Sequence, residues 1–183
     1  MKMLAIAASV LLMGLSSAGA QDLVLEVQQS NGFVEALLAN LGWRQAVVGR
    51  QLPAGAVVTS WLAASATLGY NDSVVTVEQL THLTVLDVGP AAVRLSLESG
   101  GLKVDSGGVV YEIQFRGMVI HIENGSAVLR DGALTAESGR VVVNGARDGP
   151  MEVPAGATVF LLSPAEGPVF PASQVGDPPA NPH

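Results

Sequence analysis

Histidine, carboxylate and serine side chains are the groups here with which a protein of this kind could do acid–base, metal or acyl-transfer chemistry, and there are only three histidines: His82, His121 and His183. His121 and Glu123 lie two apart in an alternating run, so both point to one face of a strand, a spacing that suits two metal ligands. No third ligand is spaced to join them, and a solvated strand face is the plainer reading. A serine nucleophile needs a base beside it, yet no Gly-x-Ser-x-Gly elbow occurs and the serines fall in turns. Glycoside cleavage needs two carboxyls roughly 5–9.5 Å apart. Asp87, Glu98, Asp105, Glu112, Glu123, Asp131 and Glu137 are instead scattered one per strand or turn, as solubility alone would produce. Asn71-Asp72 and Asp131-Gly132 lack the dense oxygen series of a calcium loop. Ser106-Gly107-Gly108 lacks the strand–loop–helix context of a phosphate cradle. The expectation is a protein with no catalytic residue, no cofactor and no metal, which acts by binding.

Trp43, Trp61 and Tyr70 are the candidate binding residues. Aromatics make up only 4% of the chain, so three rings in so short a stretch could line a contact face, where large rigid rings give area at small entropic cost. The competing reading is core, with Trp61 following Thr59-Ser60 and plugging the end of a sheet.

The elements that must carry these residues read as strands. In Val109–Phe115, Val109, Tyr111, Ile113 and Phe115 take one face and Val110, Glu112 and Gln114 the other, the alternation of a half-buried strand. Ala66–Tyr70, Val93–Leu97 and Met118–Ile122 repeat it. Asn71-Asp72, Ser99-Gly100-Gly101, Asn124-Gly125, Asp131-Gly132, Ser138-Gly139 and Asn144-Gly145 sit between the runs and mark tight reversals. Phe33–Leu41 reads equally as an amphipathic helix, from Phe33, Leu37, Leu38 and Leu41, or as a pair of strands. Strand–turn–strand units recur about every 20 residues from Val74 to Val159, a spacing common to β-solenoids and to sandwiches of successive hairpins. The fold class is therefore all-β, a solenoid or sandwich of short strands.

The ends differ in kind. Lys2, the apolar Leu4–Leu15 and Ser16-Ser17-Ala18-Gly19-Ala20 form a secretory signal peptide, with cleavage expected between Ala20 and Gln21. The apolar run is short of the roughly 20 residues that span a bilayer. Six prolines from Pro164 onward make residues 163–183 an irregular Pro-rich tail, leaving 21–162 as one domain. The chain has no cysteine, which excludes disulfides, lipoprotein acylation and thiol chemistry. Its formal charge of −7 and the lack of a basic cluster argue against nucleic acid and against anionic lipid surfaces as partners. Export, to the periplasm or beyond the cell, is the expected location.

Residues 40–145 resemble the FecR domain of bacterial extracytoplasmic regulators. Trp43, Gly49, Leu52 and Gly55 match its W-x5-G-x2-L-x2-G pattern, followed by Val57-Val58-Thr59-Ser60, Ala64–Leu68, Asn71–Val77 and Leu80–Val85. Ser99-Gly100-Gly101-Leu102 is similar to the family's later segment. The resemblance implies an all-β fold and a role in signalling across the envelope. Only Met1-Lys2-Met3 precede the hydrophobic run, so the cytoplasmic segment that reaches a sigma factor has no counterpart here. What is implied is a stand-alone exported module that binds an envelope protein or polymer, without stable membrane insertion after cleavage. A structural surface protein assembling through strand edges is the alternative, and a secreted glycan- or peptidoglycan-acting enzyme comes third.

Overall fold

A computed structural model describes residues 23–145 and 149–161; the expected signal peptide, its expected cleavage between Ala20 and Gln21, and the expected irregular Pro-rich tail lie outside the described residues. In chain order the strands are β1 (Leu25–Asn31), β2 (Val34–Leu38), β3 (Gly42–Gln45), β4 (Gln51–Leu52), β5 (Val57–Ser60), β6 (Ser65–Tyr70), β7 (Ser73–Val77), β8 (His82–Val88) and β9 (Ala92–Ser99). They continue with β10 (Gly101–Asp105), β11 (Val110–Phe115), β12 (Met118–Glu123), β13 (Ser126–Arg130), β14 (Ala133–Ala136), β15 (Arg140–Asn144), β16 (Met151–Val153) and β17 (Thr158–Phe160). The protein is all-β, with no helix among the described residues, so none long and apolar enough to cross a membrane.

Two open sheets share one apolar core. The first runs β17-β14-β13-β10-β7-β6-β1-β4 and the second β16-β15-β12-β11-β9-β8-β5-β2-β3. The chain climbs along them by alternation: the β6–β7 hairpin in one sheet, β8–β9 in the other, and so on to β15–β16. Neighbours are antiparallel except β9 and β11, which run parallel because β10 crosses to the opposite sheet between them. The strict period of two makes this possible. Tyr111, Ile113 and Phe115 point inward from β11, as do Met118, Ile120 and Ile122 from β12, while Val110, Glu112 and Gln114 face outward. Phe33–Leu41 is the strand pair and not the helix, because Val34, Ala36 and Leu38 alternate inward and form β2.

Crossing between sheets exposes backbone that the ladders do not satisfy, and of the four polar residues buried among the described ones, Ser60, Thr81 and Ser106 serve there while Ser73 lies in the β6–β7 hairpin. Ser60 Oγ donates to Glu78 O and accepts from Thr81 N at 3.0 Å. Thr81 Oγ1 donates to Gly101 O at 3.1 Å and accepts from Gly101 N at 2.9 Å. Ser106 Oγ accepts from Gly125 N at 2.8 Å. Ser73, on β7, joins the sheets directly: its Oγ donates to Tyr70 O at 2.5 Å and lies 2.7 Å from the Tyr111 hydroxyl on β11. Burial pushes the Tyr111 phenol up to about 12. Gly125 is a close approach, where an added Cβ would collide with the backbone of Ser138 and Gly139.

Candidate functional site

The outer face of β3-β2-β5 carries the first ring. Register sets Trp43 opposite Leu37, and Leu37 opposite Val57, all on the outward side. The next outward row holds Gln45, Glu35 and Thr59. Beyond that row, where β5 leaves its sheet for β6, stands Trp61. Its Nε1 donates to Glu35 Oε2 at 3.4 Å, and its ring packs on Phe33 with centroids 6.0 Å apart and planes tilted by 51°. Trp43 and Trp61 therefore share one face, with Glu35 between them.

Around Trp61 several large apolar side chains are exposed together. Phe33, Trp61, Leu62 and Leu80 are 52%, 53%, 73% and 56% exposed. Two turns hold them. Trp61 N donates to Phe33 O at 3.1 Å, and Trp61 O accepts from Ala64 N at 3.1 Å and from Leu80 N at 3.4 Å. Ala63 N donates to Gln79 Oε1 at 3.0 Å. The buried hydroxyls of Ser60 and Thr81 lock the same turns from beneath. Ala63 and Leu80 have φ of 57° and 55°, the left-handed region that costs an L-residue about 1–2 kcal/mol. A bulky apolar side chain there is uncommon, and at Leu80 the strained backbone presents an exposed leucine.

A shallow depression of about 420 Å³ adjoins the patch, bordered by Thr59, Trp61, Leu80, His82 and Glu98. His82 Nδ1 lies 2.9 Å from Thr59 Oγ1, and its Nε2 is 3.7 Å from Glu98. The arrangement offers a rigid aromatic and aliphatic platform with a carboxylate set into it and polar groups at its margin, the anatomy of a contact surface.

Tyr70 is elsewhere. It faces inward on β6, in the other sheet, and is 8% exposed. The three aromatics are thus not brought together: two share a face and one closes the core. Phe33, Leu62 and Leu80 were missed in the sequence. The available signal was that Trp61-Leu62-Ala63-Ala64 sets apolar residues in a turn, out of alternation with either neighbouring strand.

The groups weighed for chemistry are spread out and engaged. His121 Nδ1 lies 3.6 Å from Glu112, and Glu123 accepts from Arg140 at 3.1 Å. Lys103 hydrogen-bonds Glu137 and holds its carboxyl below the ordinary value. Among the described residues no three His, Asp or Glu side chains group as a metal site would need. Compared with family models, curated proteins and solved structures, the chain shows no match.

Proposed function

We propose that the chain is an exported, non-catalytic binding module of FecR-like fold, which docks an envelope protein or polymer through the surface centred on Trp61. The observation that carries this reading is the display of Phe33, Trp61, Leu62 and Leu80 on turns fixed by buried hydroxyls and held in strained backbone. A sequence free to vary would relieve that strain with glycine and replace those side chains with polar ones. Aromatic anchors ringed by polar groups are the usual source of binding energy at a protein surface. Trp43 extends the same face, and Glu35 between the two rings favours a partner that presents a cationic or hydrogen-donating group.

The resemblance over residues 40–145 supports the FecR-like assignment, and the leader pattern supports export. An N-terminus at Gln21 on the protein recovered from cells would test the second point; retention of Met1–Ala20 would oppose it. For the docking itself, the purified protein is titrated onto envelopes from cells that lack it. Saturable retention is expected for the wild type and a drop of about tenfold or more for Trp61→Ala. Equal retention of the two would contradict the reading.

Edge-to-edge assembly is the second reading, favoured by the open ends of both sheets. Against it, the edge strands β3, β4, β16 and β17 are only 4, 2, 3 and 3 residues long. Pro53 follows β4, and Pro150 and Pro154 bracket β16, so two of the four are flanked by proline. Short, proline-flanked edges are poor templates for a further strand. A sedimentation coefficient that rises with concentration would restore this reading; a constant monomer value would exclude it.

A further inference from the structure

The β3–β4 end of the molecule holds a second feature, away from Trp61. The loop between these strands folds over the end of the core and ties to both sheets: Ala46 N donates to Val34 O and Gly49 N to Val27 O, each at 2.8 Å. Against this loop and the β2–β3 turn lies a cleft of about 580 Å³, whose walls include Val24, Leu38, Leu41, Val47, Val48 and Arg50. That volume falls in the range of roughly 300–1,000 Å³ typical of small-molecule sites. Leu41, Val47 and Val48 remain 51%, 45% and 65% exposed. Among the described residues no aromatic side chain and no carboxylate lines the cleft, in a chain with 16 acidic residues against 9 basic ones.

Arg50 stands out among the described cations. Arg94, Lys103, Arg130 and Arg140 each pair with a carboxylate. Arg116 lies over the Phe115 ring at 5.0 Å, and Arg44 donates to Trp43 O at 3.1 Å. Arg50 makes none of these contacts, and its Nε is buried without a hydrogen-bond partner. A guanidinium partly stripped of water beside aliphatic walls attracts an anion more strongly than one in solvent, and its planar fork matches a carboxylate.

We propose that this cleft binds a single-chain aliphatic carboxylate, the alkyl chain lying along Leu41, Val47 and Val48 and the head group meeting the Arg50 guanidinium. Aliphatic walls without rings suit a flexible alkyl chain and not a stacked base or sugar. The net charge of −7 works against approach to an anionic bilayer, so the ligand is taken as a monomer from solution.

Calorimetric titration of the exported protein with dodecanoate, kept below its critical micelle concentration, tests this against dodecanol and against phosphatidylglycerol vesicles. One saturable site is expected for dodecanoate, about tenfold or more tighter than for dodecanol, with no binding to vesicles. Arg50→Gln abolishes the preference for the acid, Arg50→Lys keeps part of it, and Val48→Asp weakens both ligands. Circular dichroism and melting curves establish that each variant is folded. Trp61→Ala leaves the titration unchanged, which separates this site from the docking surface. Absence of a saturable site, equal affinity for dodecanol, a preference that survives Arg50→Gln, or binding confined to vesicles would each overturn the proposal. So would a dimer abolished by Val48→Asp in a protein that takes up no dodecanoate, since the cleft would then belong to a second copy of the chain.

Discussion

The two halves of the molecule share the same two sheets yet are finished differently. Among the described residues, nine of the eleven exposed large hydrophobic side chains lie between Leu23 and Leu80, and none lies between Asp87 and Val159. The later half is dressed in ion pairs instead, Arg94 with Asp87, Lys103 with Glu137 and Arg140 with Glu123. Its turns differ too. Non-glycine residues with positive φ there are Arg116, Asn124 and Asp131, each polar and each followed by glycine. The earlier half places the polar Asn71 in that conformation, but also the apolar Ala63 and Leu80. Folding alone would tolerate the polar solution throughout, and under the proposed docking role the contrast separates a half shaped for solubility and packing from a half shaped for contact.

That division can be broken by substitution. Gly125→Ala, in the later half, drives a methyl into the Ser138–Gly139 backbone and is expected to cost about 3 kcal/mol in denaturant melts, with little change in envelope retention per folded molecule. Trp61→Ala is the mirror case: envelope affinity falls by about 2 kcal/mol while stability stays within about 0.5 kcal/mol, because the ring is half exposed. A large loss of stability from Trp61→Ala would erase the distinction.

Tyr111 sharpens it through pH. Its phenol is pushed up to about 12 in the fold against an ordinary 10, so the folded state holds the proton more tightly than the unfolded chain. The stabilisation is full below pH 10 and lost as pH rises toward 12, on the order of 2 kcal/mol across the window. Tyr111→Phe removes this alkaline loss. At neutral pH it costs about 1 kcal/mol, since Ser73 keeps its bond to Tyr70 O but loses the phenol. The smallest effect is expected at Leu80. Leu80→Gly relieves positive-φ strain and raises stability by about 0.5–1 kcal/mol, read as a higher Tm, yet weakens envelope retention. Gain of stability with loss of binding is the signature of a residue kept for contact.

Much of the fold was legible because the core needs only a period of two. Val109–Phe115 and Met118–Ile122 announced themselves by alternation, and Asn124-Gly125 and Asp131-Gly132 by turn chemistry. Phe33–Leu41 was ambiguous for a physical reason: Leu37 and Leu38 are adjacent apolar residues, one outward beside Trp43 and one inward, which mimics helical spacing. The site was legible only in part. Trp43 and Trp61 were singled out by rarity, and Tyr70 with them, although its step from Ala66 and Leu68 already put it on the inward side. Leu80 and Arg50 carried no local signal. The strain of one and the missing partner of the other arise only when distant turns meet.

Contact through the Trp61 surface is tested most directly by site-specific photo-crosslinking. A photoreactive amino acid is placed at Leu62 or, as a control, at the exposed Gln114 on the outer face of β11, in cells that make the protein. The predicted result is a discrete crosslinked species from Leu62 that disappears with Trp61→Ala, and none from Gln114. Equal crosslinking from both positions, or a Leu62 product indifferent to Trp61, would contradict it.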